Sequence, residues 1–259
     1  MRFYFLPFCL FCLFSCETDQ PAHPTATDPL ADSLTHELNS FRKGGSFNGF
    51  AVSIVTEKGT LYQQGFGYSD LAAKKAYTDT TIQNIGSVSK TFIGVVLLKA
   101  QELGLLRLDD PVNKYLPFRV VNPHFPDSDI TIRQLATHTS GIRDNDFYPT
   151  QNYYLKEKQD LTGLKLVFDE TQSFIPAKEA VSMKTFLENM LTAGGKWSKD
   201  SYLEYPPGKR YEYSNIGATL AALVVEEASG EDFARFTKKY ILKPLNIDRK
   251  STRLNSSHT

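Results

Sequence analysis

The sequence predicts an α/β protein whose sheet is unfinished within its 259 residues. Three observations predict it. Strand-like runs cluster near the start, helical patterns dominate later, and between them lies Thr91–Leu103, in which Phe92, Ile93, Val95, Val96, Leu97 and Leu98 are apolar on nearly every side. A helix of that kind is buried within a protein rather than lying on its surface. Two or three strands cannot cover such a helix and a set of amphipathic ones as well.

Taken in order, residues 1–16 place one positive charge, Arg2, before an apolar run interrupted only by Pro7. A membrane span takes about 20 residues, so this shorter run fits the apolar segment of a signal peptide. It ends in Leu13-Phe14-Ser15-Cys16, which resembles the lipobox of bacterial lipoproteins, Phe14 being a less usual occupant. The resemblance implies cleavage before Cys16 and lipidation of its thiol. The mature protein would then be tethered to the periplasmic or cell-surface face of a bacterial membrane without crossing it. Residues 17–30 hold three prolines and no apolar periodicity, the composition of an extended, solvated tether.

The domain is expected over 31–250. Leu34, Leu38 and Phe41 recur at helical spacing over 32–42, and Gly44-Gly45 stops that helix. Phe50–Thr56 and Leu61–Gly67, joined at Gly59, read as a hairpin, and Ile82–Ile85 as part of a third strand. Gly104 ends the apolar helix, and Asp109-Asp110-Pro111 marks a turn. Ile132–His138 reads as a helix begun by Asp129 or Thr131. Residues 143–180 lack sustained periodicity and read as a surface excursion, in which Tyr148, Tyr153 and Tyr154 either pack on the domain or form part of a lid. Three helices follow: Met183–Leu191 capped by Ser182, Ile216–Ala228 with Gly230 after it, and Phe233–Leu242.

Composition excludes several classes. The 29 basic and 29 acidic side chains balance, which gives no electrostatic ground for nucleic-acid binding. Cys9, Cys12 and Cys16 are the only cysteines, so the domain has no disulfide framework, thiolate metal site or cysteine nucleophile. The histidines, His23, His36, His124, His138 and His258, are scattered without metal-ligand spacing, and no metal or cofactor is expected.

Two short patterns carry chemistry. In Gly86-Ser87-Val88-Ser89-Lys90, positions 87 and 90 share a face of the helix they open, so the lysine can approach the serine hydroxyl. A serine hydroxyl needs a neighbouring base, and desolvation on a buried helix would make Lys90 one, or a positive partner for another. The same spacing in Ser40-Phe41-Arg42-Lys43 falls at a helix end before two glycines and reads as solvated surface. Taken alone, Ser87 and Lys90 fit a helix cap with a surface lysine equally well. In Tyr213-Ser214-Asn215, after the rigid Pro206-Pro207-Gly208, the phenol and carboxamide project to one side of an extended segment. There a phenol can relay a proton and a carboxamide can bind a substrate amide through its donor and its acceptor. A core tyrosine with a capping Ser or Asn is the alternative.

The order Ser-x-x-Lys then Tyr-x-Asn resembles the serine β-lactamase and penicillin-binding superfamily, nearest its class C-like branch of β-lactamases, D-amino-acid peptidases and esterases. Gly104–Pro117, the His138-Thr139-Ser140-Gly141 segment and Pro206-Pro207-Gly208 before Tyr213 are similar to that branch as well. The resemblance implies an antiparallel sheet flanked by helices plus a helical subdomain. It also implies Ser87 as acylated nucleophile, Lys90 as its partner, Tyr213 as proton shuttle and Asn215 as substrate-binding residue. It gives His138 no catalytic part, and His138 and His124 read as structural turn histidines. The expected substrate is a small-molecule, peptidoglycan-type or ester carbonyl compound. The alternatives are a non-catalytic sensor or binding protein keeping the fold, and an inactive fragment. The family's third motif, of Lys-Thr-Gly or His-x-Gly type on a late strand, has no Lys-Thr-Gly counterpart after Asn215, and residues 251–259 look like a non-native tail. The expectation is therefore a carboxy-terminally truncated product lacking the late strands.

Overall fold

The computed structural model describes residues 28–155 and 174–247. The expected signal peptide, Cys16, most of the tether, the middle of the 143–180 excursion and the tail at 251–259 lie outside the described residues. The chain divides into two compact units, one up to Thr81 and one from Ile82 onward.

In the first unit, helix α1 runs over Pro29–Gly44 and begins where the Asp28 carboxylate accepts the Leu30 N–H at 3.0 Å. Strands β1 (Gly49–Thr56) and β2 (Gly59–Asp70) form the expected antiparallel hairpin, with a register shift between Ile54 and Val55. The third strand, β3, is Lys75–Ala76 and pairs with β2, giving the sheet order β1-β2-β3. This corrects the expected strand at Ile82–Ile85, which is coil with Ile82 and Ile85 exposed. A strand needs an edge to pair with, and the short β3 is what extends the sheet beyond β2. The close return of the chain also explains Gly65: a Cβ there would lie 2.2 Å from the Tyr77 carbonyl oxygen. Phe41, Phe47, Phe50 and Phe66 gather in stacked, edge and tilted ring contacts between the end of α1 and the hairpin, with Phe66 buried.

The second unit is helical, with its core around α6 (Asn215–Ser229), nine of whose residues are buried. Against α6 pack α2 (Lys90–Glu102), α3 (Ile132–Ala136), α5 (Met183–Leu191) and α7 (Phe233–Thr237). α7 continues as a π-helical turn over Lys238–Leu242. A four-residue helix, α4 (Tyr148–Gln151), and a two-residue parallel pair, β4 (Tyr154–Leu155) with β5 (Ile175–Pro176), follow α3. The boundaries are written in capping chemistry. Thr131 forms a capping box with Gln134, Ser182 accepts the Thr185 N–H, and Gly230 closes α6 in the left-handed conformation at φ 69°.

One expectation about α2 is corrected. Val96, Leu97 and Ala100 are buried, but Val95 is 46% and Leu98 57% exposed, so among the described residues the helix buries one side and leaves the other open. Apolar residues on every side of a helix show what it could bury, not which faces find a partner.

Candidate active site

Ser87 is delivered by a sharp turn. The Asn84 side-chain oxygen accepts the Gly86 N–H at 2.7 Å, Gly86 takes φ +52°, and Gly86–Ser89 form a 3-10 turn running straight into α2. Gly86 meets this left-handed backbone without the steric cost a Cβ would bring. Ser87 is left exposed, and Lys90, the first residue of α2, donates from Nζ to Ser87 Oγ at 3.1 Å. Lys90 is half-buried rather than enclosed, because α2 is open along one flank.

The second wall comes from the segment before α6. The Gly208 and Glu212 N–H groups donate to the carbonyls of Thr139 at 2.7 Å and His138 at 2.8 Å, which strap the loop to the residues after α3. Tyr213 then leads into extended Ser214, the N-cap of α6. Its hydroxyl donates to Ser87 Oγ at 2.8 Å, with Asn215 Oδ1 as a longer acceptor at 3.4 Å. The Lys90 ammonium lies 5.2 Å from the centre of the Tyr213 ring. Lys90 and Tyr213 thus meet at the Ser87 hydroxyl, and Asn215, 128 positions from Ser87 in the sequence, joins them through the Tyr213 hydroxyl, with Ser214 capping the helix between the last two.

Two side chains that sequence reasoning left out of the chemistry are also here. His138 has φ +55°, as a turn histidine would, but its imidazole does more. Nδ1 accepts the Ser214 N–H at 3.2 Å, and the ring lies 4.7 Å from that of Tyr213. Asp144 lies outside both sequence patterns. Its Oδ1 accepts from Ser214 Oγ at 3.2 Å and the Ile216 N–H at 2.9 Å. Its Oδ2 accepts from the Asn215 N–H at 3.1 Å and Asn215 Nδ2 at 2.6 Å. The carboxylate thereby takes up two backbone donors of the first turn of α6, where the helix dipole favours negative charge.

The loop bearing Asp144 is fixed from both sides. Ile142 is fully buried, and Arg143 donates its N–H to the Ser201 carbonyl at 3.0 Å. Asn145 Nδ2 reaches the Trp197 and Lys199 carbonyls and Ser201 Oγ, while its Oδ1 accepts the Phe147 and Tyr148 N–H groups. Beyond it, Tyr148 packs on Phe186 of α5, which favours packing on the domain for that ring, while Tyr153 meets Phe174 within the excursion itself. His124 is an exposed turn residue whose N–H donates to Asn122 Oδ1 at 3.0 Å.

His138 gives the site a pH dependence. Burial, and then the positive charge of Lys90, hold the imidazole below its usual 6.5, with Asp144 opposing. With Nδ1 as acceptor, the neutral ring carries its proton on Nε2; a second proton would set two donors against each other at Ser214. The unfolded chain therefore binds more protons than the folded one just below pH 6.5, and stability falls as pH falls through that window. Urea unfolding between pH 7.5 and 5 should show a steeper loss for the wild type than for His138→Gln, whose side chain can accept the same N–H without titrating. Equal slopes would remove His138 from the account.

Comparison with known proteins adds one family match and three similar proteins. The family model described as Beta-lactamase matches residues 34–258. Protein flp of Staphylococcus aureus (strain MW2) is 27% identical over 228 residues, 87% of this chain and 39% of its own length. The octameric penicillin-binding protein homologue from Pyrococcus abyssi superimposes with TM-score 0.57 at 27% identity, covering 85% of this chain and 43% of that one. The D-alanine carboxypeptidase AmpC from Burkholderia cenocepacia shares the fold, with TM-score 0.59 at 24% identity over 86% of this chain and 50% of that one. The chain spans about two fifths of the length of the curated relatives it matches.

Proposed function

The chain belongs to the Beta-lactamase family, and from that premise we propose that it is an exported serine hydrolase that forms an acyl-enzyme on Ser87. The observation that carries this reading is the position of Ser87 Oγ, 3.1 Å from Lys90 Nζ and 2.8 Å from the Tyr213 hydroxyl. A hydroxyl held between an amine and a phenol has a route for its proton, which is what a serine nucleophile requires.

In the reactive form the Lys90–Tyr213 pair carries one proton fewer than an ammonium and a phenol together hold. Ser87 Oγ attacks the carbonyl carbon, its proton passes to the pair, and the carbonyl electrons move onto oxygen. That oxygen faces the start of the 3-10 turn and α2, where the Ser87 N–H belongs to the donors without a partner inside the helix. Collapse of the tetrahedral species breaks the bond to the leaving group, which takes the proton back from the pair. Water then repeats the sequence, giving its proton to the pair and releasing the acid and Ser87.

The substrate class is an amide, ester or lactam carbonyl. Exposure of Ser87 and Tyr213 to solvent supports access for a substrate carrying groups on both sides of that carbonyl. The likeness to a penicillin-binding protein homologue and to a D-alanine carboxypeptidase supports a peptide-type amide or lactam first. Location on the periplasmic or cell-surface face of a bacterial membrane, anchored through Cys16, belongs to the same proposal and rests on the Leu13–Cys16 pattern.

The test is labelling of the purified protein with a fluorescent penicillin and a fluorophosphonate, with Ser87→Ala as control. The expected result is a covalent adduct from at least one probe that Ser87→Ala abolishes. No Ser87-dependent adduct from either probe would defeat the enzyme reading and leave the binding-protein and inactive-fragment readings.

A further inference from the structure

We propose that Asp144 is a positioning residue of the acylation site, fixing which end of the Asn215 carboxamide faces Tyr213. The inference rests on the reading of Ser87 as nucleophile and deepens it. An ionised carboxylate can only accept hydrogen bonds, whereas a carboxamide has one accepting and one donating end. Asp144 Oδ2 lies 2.6 Å from the Asn215 amide, so the end of that amide facing it must be the NH2. The oxygen is then turned the other way, 3.4 Å from the Tyr213 hydroxyl. One N–H of the amide is thus committed inside the protein, which narrows what Asn215 can offer a substrate to its second N–H and its oxygen.

The same carboxylate cannot shift to another arrangement cheaply. Oδ1 and Oδ2 hold the backbone N–H groups of Ile216 and Asn215 respectively, and Ser214 Oγ takes a further site on Oδ1. Asp144 is itself seated between buried Ile142 and buried Asn145. Four contacts therefore index the first turn of α6, and with it Asn215, to a loop held independently. Tyr213 enters the same arrangement through His138, which follows α3 and accepts the Ser214 N–H.

An amide at position 144 removes the logic without changing the shape. In Asp144→Asn one of the two carboxylate oxygens becomes an NH2. If it replaces Oδ2, the Asn215 amide must flip and present a donor to Tyr213; if it replaces Oδ1, the buried Ile216 N–H faces another donor. The double variant Asp144→Asn/Asn215→Asp restores a donor–acceptor match between the two side chains and returns an acceptor oxygen to Tyr213.

The experiment measures the acylation rate by fluorescent penicillin, or by the fluorophosphonate if only that probe labels the wild type, together with thermal melting. Asp144→Asn is expected to acylate about 10- to 100-fold more slowly, the scale on which small displacements at a reacting centre act. The double variant is expected to recover part of that loss even where its melting temperature does not recover. Wild-type rates in folded Asp144→Asn, or losses in both variants that track melting alone, would overturn the proposal. A wild type that fails to label at Ser87 would defeat the functional reading and leave the geometry to a second measurement. That measurement is the scalar coupling across the hydrogen bond between the Asn215 side-chain nitrogen and the Asp144 carboxyl carbon in the wild-type protein. The coupling should be present, and its absence would refute the orientation whether or not any variant folds.

Discussion

A Tyr213→Phe variant should be acylated about 100- to 10,000-fold more slowly than the wild type, the range associated with losing a positioned proton-transfer group. The hydroxyl it removes is the group 2.8 Å from Ser87 Oγ. The ring remains, and with it the tilted contact with His138 and the cation–ring contact with Lys90, 5.2 Å from its centre. Because Tyr213 is 40% exposed, the change opens no cavity, and the melting temperature should stay close to that of the wild type. Time-resolved labelling with the fluorescent penicillin and a thermal melt measure both quantities on one sample. A wild-type acylation rate would show that the proton leaves Ser87 by another path.

The largest effect on folding should come from Leu220→Ala in the middle of α6. Leu220 is fully buried, on the helix against which α2, α3, α5 and α7 all pack. Truncation loses the transfer free energy of the removed carbons and leaves a cavity that neighbouring helices close only partly, about 2–5 kcal/mol in comparable cores. Against a usual total of about 5–15 kcal/mol, this is a large share. It should also loosen the acylation site, since α6 begins at Asn215. Urea unfolding followed by circular dichroism checks the expectation; a loss below about 1 kcal/mol would mean that the core collapses around the gap more completely than a set of crossing helices should.

Local chemistry was the legible part of this molecule. Capping residues and glycines put α5 at Met183–Leu191 behind Ser182 and ended α6 before Gly230. The hairpin was legible because a β-rich run and a turn glycine stand in sequence order. Ser87 with Lys90 was legible because positions three apart share a face of a helix, and Tyr213 with Asn215 because positions two apart share a side of an extended segment; that the two pairs form one site was legible only through the family resemblance. Contacts made across the fold were hidden. Asp144 meets Asn215 from 71 positions away, through a loop whose shape depends on Asn145 and the 197–203 segment. No sequence signal marked it: the first turn of α6 holds no acidic residue, but neither do those of α2, α3, α5 and α7. For α2 the composition misled, since apolar residues on all sides implied an enclosure that the described residues do not supply around Val95 and Leu98.

The central claim is that Ser87 becomes covalently acylated under the control of Lys90 and Tyr213. Peptide mass spectrometry of the wild-type protein after incubation with penicillin, or with the fluorophosphonate if only that probe labels it, tests it most directly. The account predicts an added mass on the peptide containing Ser87, localised to that residue and absent from Lys90→Ala at short times. An adduct on any other residue, or undiminished labelling of Ser87 in Lys90→Ala, would contradict it.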